Sequence, residues 1–203
     1  MSVCLMLDVD GVLVSGRPSD GQQWTHTLYD DLGISPDLLV QEFFAREWEG
    51  VVTGKQKLHP SLELSLKRLG TSVSAEELIS YWFEMDSRLV EPVLADCRAA
   101  RNSGHQVYLT TNQDHMRAKY LMNTMGLKNE VDGIAYSAEA GFQKPSPEFY
   151  SYAAHLTAHP PHELLLIDDT PANIDGAIKA GWQATHWNRK ERLSDILRHN
   201  TNH

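Results

Sequence analysis

Five apolar residues, Val3-Cys4-Leu5-Met6-Leu7, run unbroken into the acids of Asp8-Val9-Asp10-Gly11-Val12. An apolar run of this length offers no polar face to solvent, so it reads as a strand buried on both sides of a parallel sheet. Carboxylates at the C-terminal end of such a strand fall where open α/β sheets place their ligands. Side chains two residues apart in an extended chain point the same way, so Asp8 and Asp10 serve one site if the chain stays extended. Two such carboxylates repel each other at neutral pH unless a cation or a shared proton lies between them. The pair reads as a hard-metal site, a nucleophile with a partner acid, or both. The competing reading is a plain turn, because Asp-Gly after a strand is common turn chemistry.

The C-terminal half alternates strand and helix signals. Gln106–Thr111 reads as a strand. A helix follows from about Asp114 to Met125, with Gly126 as its stop. Gly133–Ser137 is a short strand, and Ser146-Pro147-Glu148 supplies an N-cap with proline at the first helical position. Leu164–Ile167 is another buried strand, ending at Asp168-Asp169. Thr170-Pro171 starts a helix that Gly181 ends, and Trp182–Trp187 is a last strand. Alternation of this kind predicts a Rossmann-like α/β core, a parallel sheet with helices on both faces.

The stretch from about Ser15 to Val93 carries only helix signals. Ser35-Pro36 opens one helix, and Ser74-Ala75-Glu76-Glu77 is a capping box opening another. Gly33 and Gly70 look like stops, and Pro92 opens a helix leading back to the sheet, with Gly104 ending it. A helical insert directly after the first strand would sit over the sheet's C-terminal edge, as a cap over the carboxylates. The expected division is a core of residues 1–15 and 94–203 and a small α-helical cap of 16–93. An independent helical domain is the alternative.

The 203 residues suffice for one domain with an insert, and 41% apolar content supports a core. A net charge of −9 without a long basic run argues against nucleic acid as a partner. Cys4 falls in the buried strand and Cys97 in a helical stretch, and neither has zinc-type spacing to a second Cys or to His. The last histidines, His199 and His203, read as a loose tail. Met1 leads straight into the first strand, leaving no room for a signal peptide, and no apolar run approaches the ~20 residues a membrane helix needs. The expectation is a cytoplasmic protein with no membrane partner. The sequence is silent on oligomeric state.

Four features stand at strand ends: Asp8 with Asp10, Thr111 with Asn112, Lys144 in Gly141-Phe142-Gln143-Lys144-Pro145, and Asp168-Asp169. All C-terminal strand ends of a parallel sheet lie on one edge, so these groups can converge. Two carboxylate pairs, a hydroxyl and an ammonium suit an anionic substrate bridged by a divalent cation. Thr111 and Lys144 would hold phosphate oxygens. Asp8 and Asp169 would hold Mg²⁺, which takes oxygen ligands and keeps several waters. Taken singly, each has a plainer reading: Thr111 as a backbone-bonding hydroxyl, Lys144 as a solvated lysine, Asp168-Asp169 as acids at a helix N-terminus.

On these motifs the chain resembles the haloacid dehalogenase-like hydrolase superfamily along its whole length. Asp8-Val9-Asp10-Gly11-Val12 matches that family's first motif and Leu109-Thr110-Thr111-Asn112 its second. Lys144-Pro145 matches the third, and Ile167-Asp168-Asp169 the fourth. Asn173-Ile174 and Ala180-Gly181 also fit. The insert is similar to the family's helical cap. The nearest likeness is to the branch holding small sugar-phosphate phosphatases and the phosphatase domain of soluble epoxide hydrolases.

The resemblance implies a phosphatase acting on a small phosphorylated substrate, with Mg²⁺ as cofactor. Asp8 would attack phosphorus and form an aspartyl-phosphate. Asp10 would protonate the leaving group and then deprotonate water. The metal would be held by the Asp8 carboxylate, the Asp10 backbone carbonyl and Asp169, with Asp168 a further ligand, direct or through water. Thr111 and Lys144, helped by Asn112, would stabilise the phosphoryl oxygens.

A phosphomutase shares all of these motifs. A dehalogenase typically lacks an acid at the position of Asp10, and a phosphonate hydrolase would need a cap lysine, for which nothing singles out Lys55 or Lys57. A non-catalytic phosphate-binding protein would be expected to lack one of the acids. In the cap, Arg46, Trp48, Lys55 and Arg88 are candidates to meet substrate, whereas Trp24, Trp48 and Trp82 also read as packing residues.

Overall fold

The computed structural model describes residues 3–201. Met1, taken to lead into the first strand, and His203, taken as part of a tail, lie outside them. Five strands, β1 (Cys4–Leu7), β2 (Gln106–Thr111), β3 (Gly133–Tyr136), β4 (Leu164–Asp168) and β5 (Gln183–His186), form one parallel sheet in the order β3-β2-β1-β4-β5. The doubly apolar strands predicted from sequence occupy its centre. Alternate residues of β1 feed opposite cores, which is why the run shows no polar alternation. Leu5 and Leu7 join Val107, Leu109, Leu165 and Ile167 on one face. The helices Glu91–Asn102 and Leu193–Thr201 cover that face. Cys4 and Met6 join Leu164 and Leu166 on the other, under the helices Pro147–Thr157 and Pro171–Lys179. Each fully buried Leu contributes about 1.5–3 kcal/mol by removal from water. Both cysteines are free and buried, and burial pushes their thiols up to about 12, so they act as small apolar side chains.

Between Trp24 and Met85 the chain is helical, with Leu58–Leu69 and Ala75–Met85 its longest elements. Ser35 and Ser74 cap as predicted, accepting from the amides of Leu38 and Glu77. These helices enclose their own apolar cluster, built on Leu28, Leu39, Phe43, Leu62, Leu78 and Trp82. Trp24 stacks on Trp82 with ring centroids 5.3 Å apart, and Phe44 and Trp48 pack on the same indole at 5.6 and 5.8 Å. The chain leaves and re-enters the sheet side by side. The Val90 amide bonds to Leu13 O (2.9 Å), the Ser15 amide to Arg88 O (2.9 Å) and the Arg88 amide to Gly16 O (3.1 Å). These bonds form a short two-stranded neck.

Two elements differ from expectation. The helix opened by Asp114 runs only over His115–Lys119 and then widens into a π-turn at Tyr120–Thr124 before Gly126. The widening falls where Arg117 and Tyr120 meet Phe83 of the helix Ala75–Met85, with the Arg117 guanidinium 5.3 Å from the Phe83 ring centroid. His199 lies in the helix Leu193–Thr201, not in a loose tail. Leu193, Ile196 and Leu197 pack into the core, and Asp96 anchors the helix start by bonding Arg192 (2.5 Å) and the Ser194 amide (3.2 Å). Among the described residues no helix is long and apolar enough to cross a membrane.

Candidate active site

The registers Leu7↔Leu109 and Leu7↔Ile167 bring the strand ends together. Asp8 follows Leu7, and its amide donates to Ile167 O at 2.9 Å. In β1 and β4 the even-numbered residues face the helix Pro147–Thr157, so Asp8 and Asp168 fall on that same side. The loop leading into that helix delivers Lys144. Its ammonium donates to Asp8 Oδ1 (2.9 Å), Asp168 Oδ2 (2.5 Å) and Thr110 O (2.7 Å). Lys144 is not a solvated lysine: its side chain is 1% exposed.

Asn112 holds the Lys144 backbone from both ends of its amide. Its Oδ1 accepts from the Lys144 amide (2.8 Å) and its Nδ2 donates to Lys144 O (3.0 Å). Asp168 is fully engaged, accepting also from Asn173 Nδ2 (3.0 Å to each oxygen) and the Thr170 amide (2.8 Å). It therefore holds Lys144 in place. Thr111 is buried at the end of β2.

Asp10 sits in the loop after β1, open to a cleft of about 520 Å³. Its Oδ2 accepts from Gln113 Nε2 at 2.5 Å. Asp169 is exposed beside Gly11, which has φ +83°, and a Cβ at Gly11 would overlap the Asp169 carboxylate. One carboxylate oxygen from each of Asp8, Asp168 and Asp169 lies within 4.8 Å of the others. Three oxygen donors with no Cys or His suit Mg²⁺ rather than zinc. Asp8 and Asp169 are better placed for it than Asp168, whose oxygens are already engaged.

Burial pushes the Asp8 carboxyl up to about 7. The Lys144 ammonium opposes that rise, and the charges of Asp168 and Asp10 add to it. Burial alone would lower the Lys144 pKa, but the attraction of Asp8 and Asp168 outweighs it and the net shift is upward. Asp10 is raised too, by the surrounding protein mass although its surface opens on the cleft, and Arg117 and Gln113 oppose the rise.

A raised carboxyl contributes stability that is complete below the unfolded value near 4 and is lost as pH rises through about 7. Without metal, this group should make the protein less stable at pH 8 than at pH 6. Mg²⁺ should restore the loss, by about 2.7 kcal/mol at a hundredfold excess over Kd. Thermal melts with and without Mg²⁺ should show the larger shift at pH 8, and equal shifts at both pH values would contradict this electrostatics.

Among the described residues, the sequence-predicted cap candidates Arg46, Trp48, Lys55 and Arg88 do not line this cleft. Arg46 pairs with Glu42 (3.2 Å), and Trp48 belongs to the aromatic cluster. The helical stretch contributes Trp24, Val40 and Phe44 instead, facing Ser15, Asp86 and Arg189. Arg189 donates to Gly11 O (2.9 Å) and Ser15 Oγ (3.0 Å). Burial raises Asp86 to about 6, the Asp10 charge adding and Arg117 opposing. Arg117 is itself buried and donates to Phe83 O (3.2 Å) and Asp86 O. Gln113, Asp86, Arg117 and Arg189 were all missed by the motifs.

Residues 4–181 match the family model for haloacid dehalogenase-like hydrolases. Human N-acylneuraminate-9-phosphatase is 26% identical over 89 residues, 43% of this chain and 36% of that protein. The mouse enzyme of the same name is 26% identical over 121 residues, 57% of this chain and 48% of that one. Both alignments span less than half of the relative's own length. Among solved structures, an HAD family enzyme of Bacteroides thetaiotaomicron in complex with magnesium and inorganic phosphate superposes with a TM-score of 0.80 at 17% identity, covering 98% of this chain and 100% of that one. An HAD-like family hydrolase of Porphyromonas gingivalis gives 0.80 at 15% identity, covering 100% and 99%.

Proposed function

Because the chain belongs to the haloacid dehalogenase-like hydrolase family, we propose that it is a Mg²⁺-dependent phosphatase hydrolysing a small phosphate monoester through an aspartyl-phosphate on Asp8. Residues 16–93 act as the cap and residues 1–15 and 94–203 as the core. One observation favours this chemistry within the family. A second acid, Asp10, stands two residues beyond Asp8 and is held by an amide donor, while Lys144 holds the Asp8 carboxylate.

Lys144 fixes Asp8 through Oδ1, and among the described residues no hydrogen bond engages Oδ2. Asp8 attacks phosphorus, the bond from phosphorus to the leaving oxygen breaks, and that oxygen takes a proton from Asp10. Water then gives a proton to Asp10 and attacks the same phosphorus. The bond to Asp8 breaks, releasing phosphate and restoring the carboxylate. Thr111 holds the phosphoryl oxygens. The Lys144 ammonium, whose protons go to Asp8, Asp168 and Thr110 O, stabilises them by its charge, and Asn112 supports this from behind by fixing the Lys144 backbone. Mg²⁺, held by Asp8, Asp169 and the Asp10 carbonyl with Asp168 behind them, would neutralise charge on the transferring group. The cap wall of Trp24, Val40 and Phe44 narrows access and limits water at the reacting centre.

The human and mouse relatives named as phosphatases of a sugar acid phosphate support a phosphorylated polyhydroxy substrate. A phosphomutase remains the second reading, since it would use the same residues. Phosphate release from a panel of monoesters tests the proposal. Turnover should vanish in EDTA and return on adding Mg²⁺. Full turnover in chelator, or transfer of phosphate between substrate positions without release, would reject it.

A further inference from the structure

The side chain of Gln113 is buried and points at Asp10, its Nε2 lying 2.5 Å from Oδ2. An amide N–H fixed there leaves Oδ1 of Asp10 as the oxygen free to carry a proton toward the leaving group. Gln113 is itself held from outside its own segment. Its backbone amide donates to Ser137 Oγ at 2.9 Å, and its carbonyl accepts from the Ala138 amide at 3.2 Å.

The Ser137 hydroxyl, also fully buried, has one proton and two acceptors within reach. Val52 O of the helical insert lies at 2.6 Å and Gln113 O at 3.2 Å. The shorter bond takes the proton, so the hydroxyl joins the insert to the segment carrying Gln113. A second observation places the insert tightly here. Gly54 has φ +72°, and a Cβ on it would overlap the Ala138 carbonyl oxygen. Only a residue without a side chain lets Val52–Gly54 lie against Ser137-Ala138.

We propose that Gln113 is a positioning residue for the Asp10 carboxyl, and that Ser137 couples its placement to the seating of the helical insert through Val52. With the insert seated, the Ser137 proton goes to Val52 O and the hydroxyl lone pairs fix the Gln113 amide. With the insert lifted, the hydroxyl loses the Val52 acceptor that fixes its rotamer, and its hold on the Gln113 amide loosens. Proton transfer to and from Asp10 is then best oriented only when the cleft is closed over the substrate.

This rests on the phosphatase reading, and the test separates the two. Wild type, Gln113→Met, Gln113→Asn and Ser137→Ala are assayed with Mg²⁺ on p-nitrophenyl phosphate and on a simple alkyl phosphate. An alkoxide needs protonation on departure and a nitrophenolate does not. The ratio of alkyl to aryl kcat should therefore fall ~10-fold or more in Gln113→Met, and about 3-fold in Ser137→Ala. KM should stay within about twofold of wild type, because neither group holds the phosphate. Should Gln113→Met fail to fold, Gln113→Asn, whose amide is one methylene short of Asp10, carries the test. Folded variants in which both substrates slow equally would overturn the proposal. A wild type inactive on both esters would instead overturn the phosphatase reading.

Discussion

Asp8→Asn should form no phospho-enzyme and lose turnover by at least ~10⁴-fold, while remaining folded. The substitution removes the attacking oxygen and a metal ligand together. It leaves the geometry of β1 intact, since the Asp8 amide still donates to Ile167 O. Folding should tolerate the change because burial already favours the neutral carboxyl at this position. Asp10→Asn provides the contrast. It keeps the backbone carbonyl proposed for the metal, so Mg²⁺ should still bind, but it removes the proton donor. General acid–base loss costs ~10²–10⁴, and it should be greater for alkyl than for aryl phosphates. Acyl-phosphate trapping and turnover on both ester types make the comparison. A trapped phospho-enzyme in Asp8→Asn, or unchanged alkyl-phosphate turnover in Asp10→Asn, would refute the assignment of roles.

Lys144→Met should be the most destabilising single change at the site, by about 3–5 kcal/mol, and should also remove turnover. The ammonium lies between two buried carboxylates, and its removal leaves both uncompensated. The loss should depend on pH. Without the opposing attraction of Lys144, the Asp8 carboxyl rises further above its unfolded value. A raised carboxyl stabilises below that value and ceases to do so as pH increases. The deficit relative to wild type should thus be larger at pH 8 than at pH 5. Adding Asp168→Asn removes one of the stranded charges and should recover part of the stability with none of the activity. Denaturant melts of the single and double variants at both pH values test this. A single variant as stable as wild type at pH 8 would mean that the buried charges are solvated in some other way.

The core and the acids were legible from sequence for one shared reason. A central parallel strand is buried on both faces, so β1 and β4 appear as apolar runs, and the residues ending those runs are the acids on the functional edge. The helices between Trp24 and Met85 were legible from their caps at Ser35 and Ser74 and their stops at Gly33 and Gly70. Gln113 was not, because its contact is with a residue 103 positions away and its neighbours Thr111 and Asn112 already filled the motif. Arg117 was hidden by its charge. An arginine on a helix reads as solvent-facing, and it is the Phe83 and Tyr120 rings, the carbonyls at the end of Ala75–Met85 and the Asp86 carboxylate at 3.7 Å that make its burial favourable. The cap cations misled for the opposite reason. Arg46 carries the charge an anion would want, yet it answers Glu42 one helical turn away, while the cation at the cleft, Arg189, comes from beyond β5. The last helix did carry a signal, the i, i+3, i+4 spacing of Leu193, Ile196 and Leu197, masked by the polar residues around it.

The neck that closes the insert has a consequence for how such a chain can change. Its two strands are hydrogen-bonded to each other at Leu13–Gly16 and Arg88–Val90, so the two chain ends that leave the sheet are already joined, whatever length of chain lies beyond them. Loop-closure entropy grows only with the logarithm of length, about 0.6 kcal/mol for each doubling. Segments beyond the neck that do not rest on the core can thus be lengthened or shortened with little penalty to β1, which leads into Asp8. Change beyond the neck is therefore constrained less by chain length than by the few places where the helices rest on the core, Val52 on Ser137 and Phe83 on Arg117.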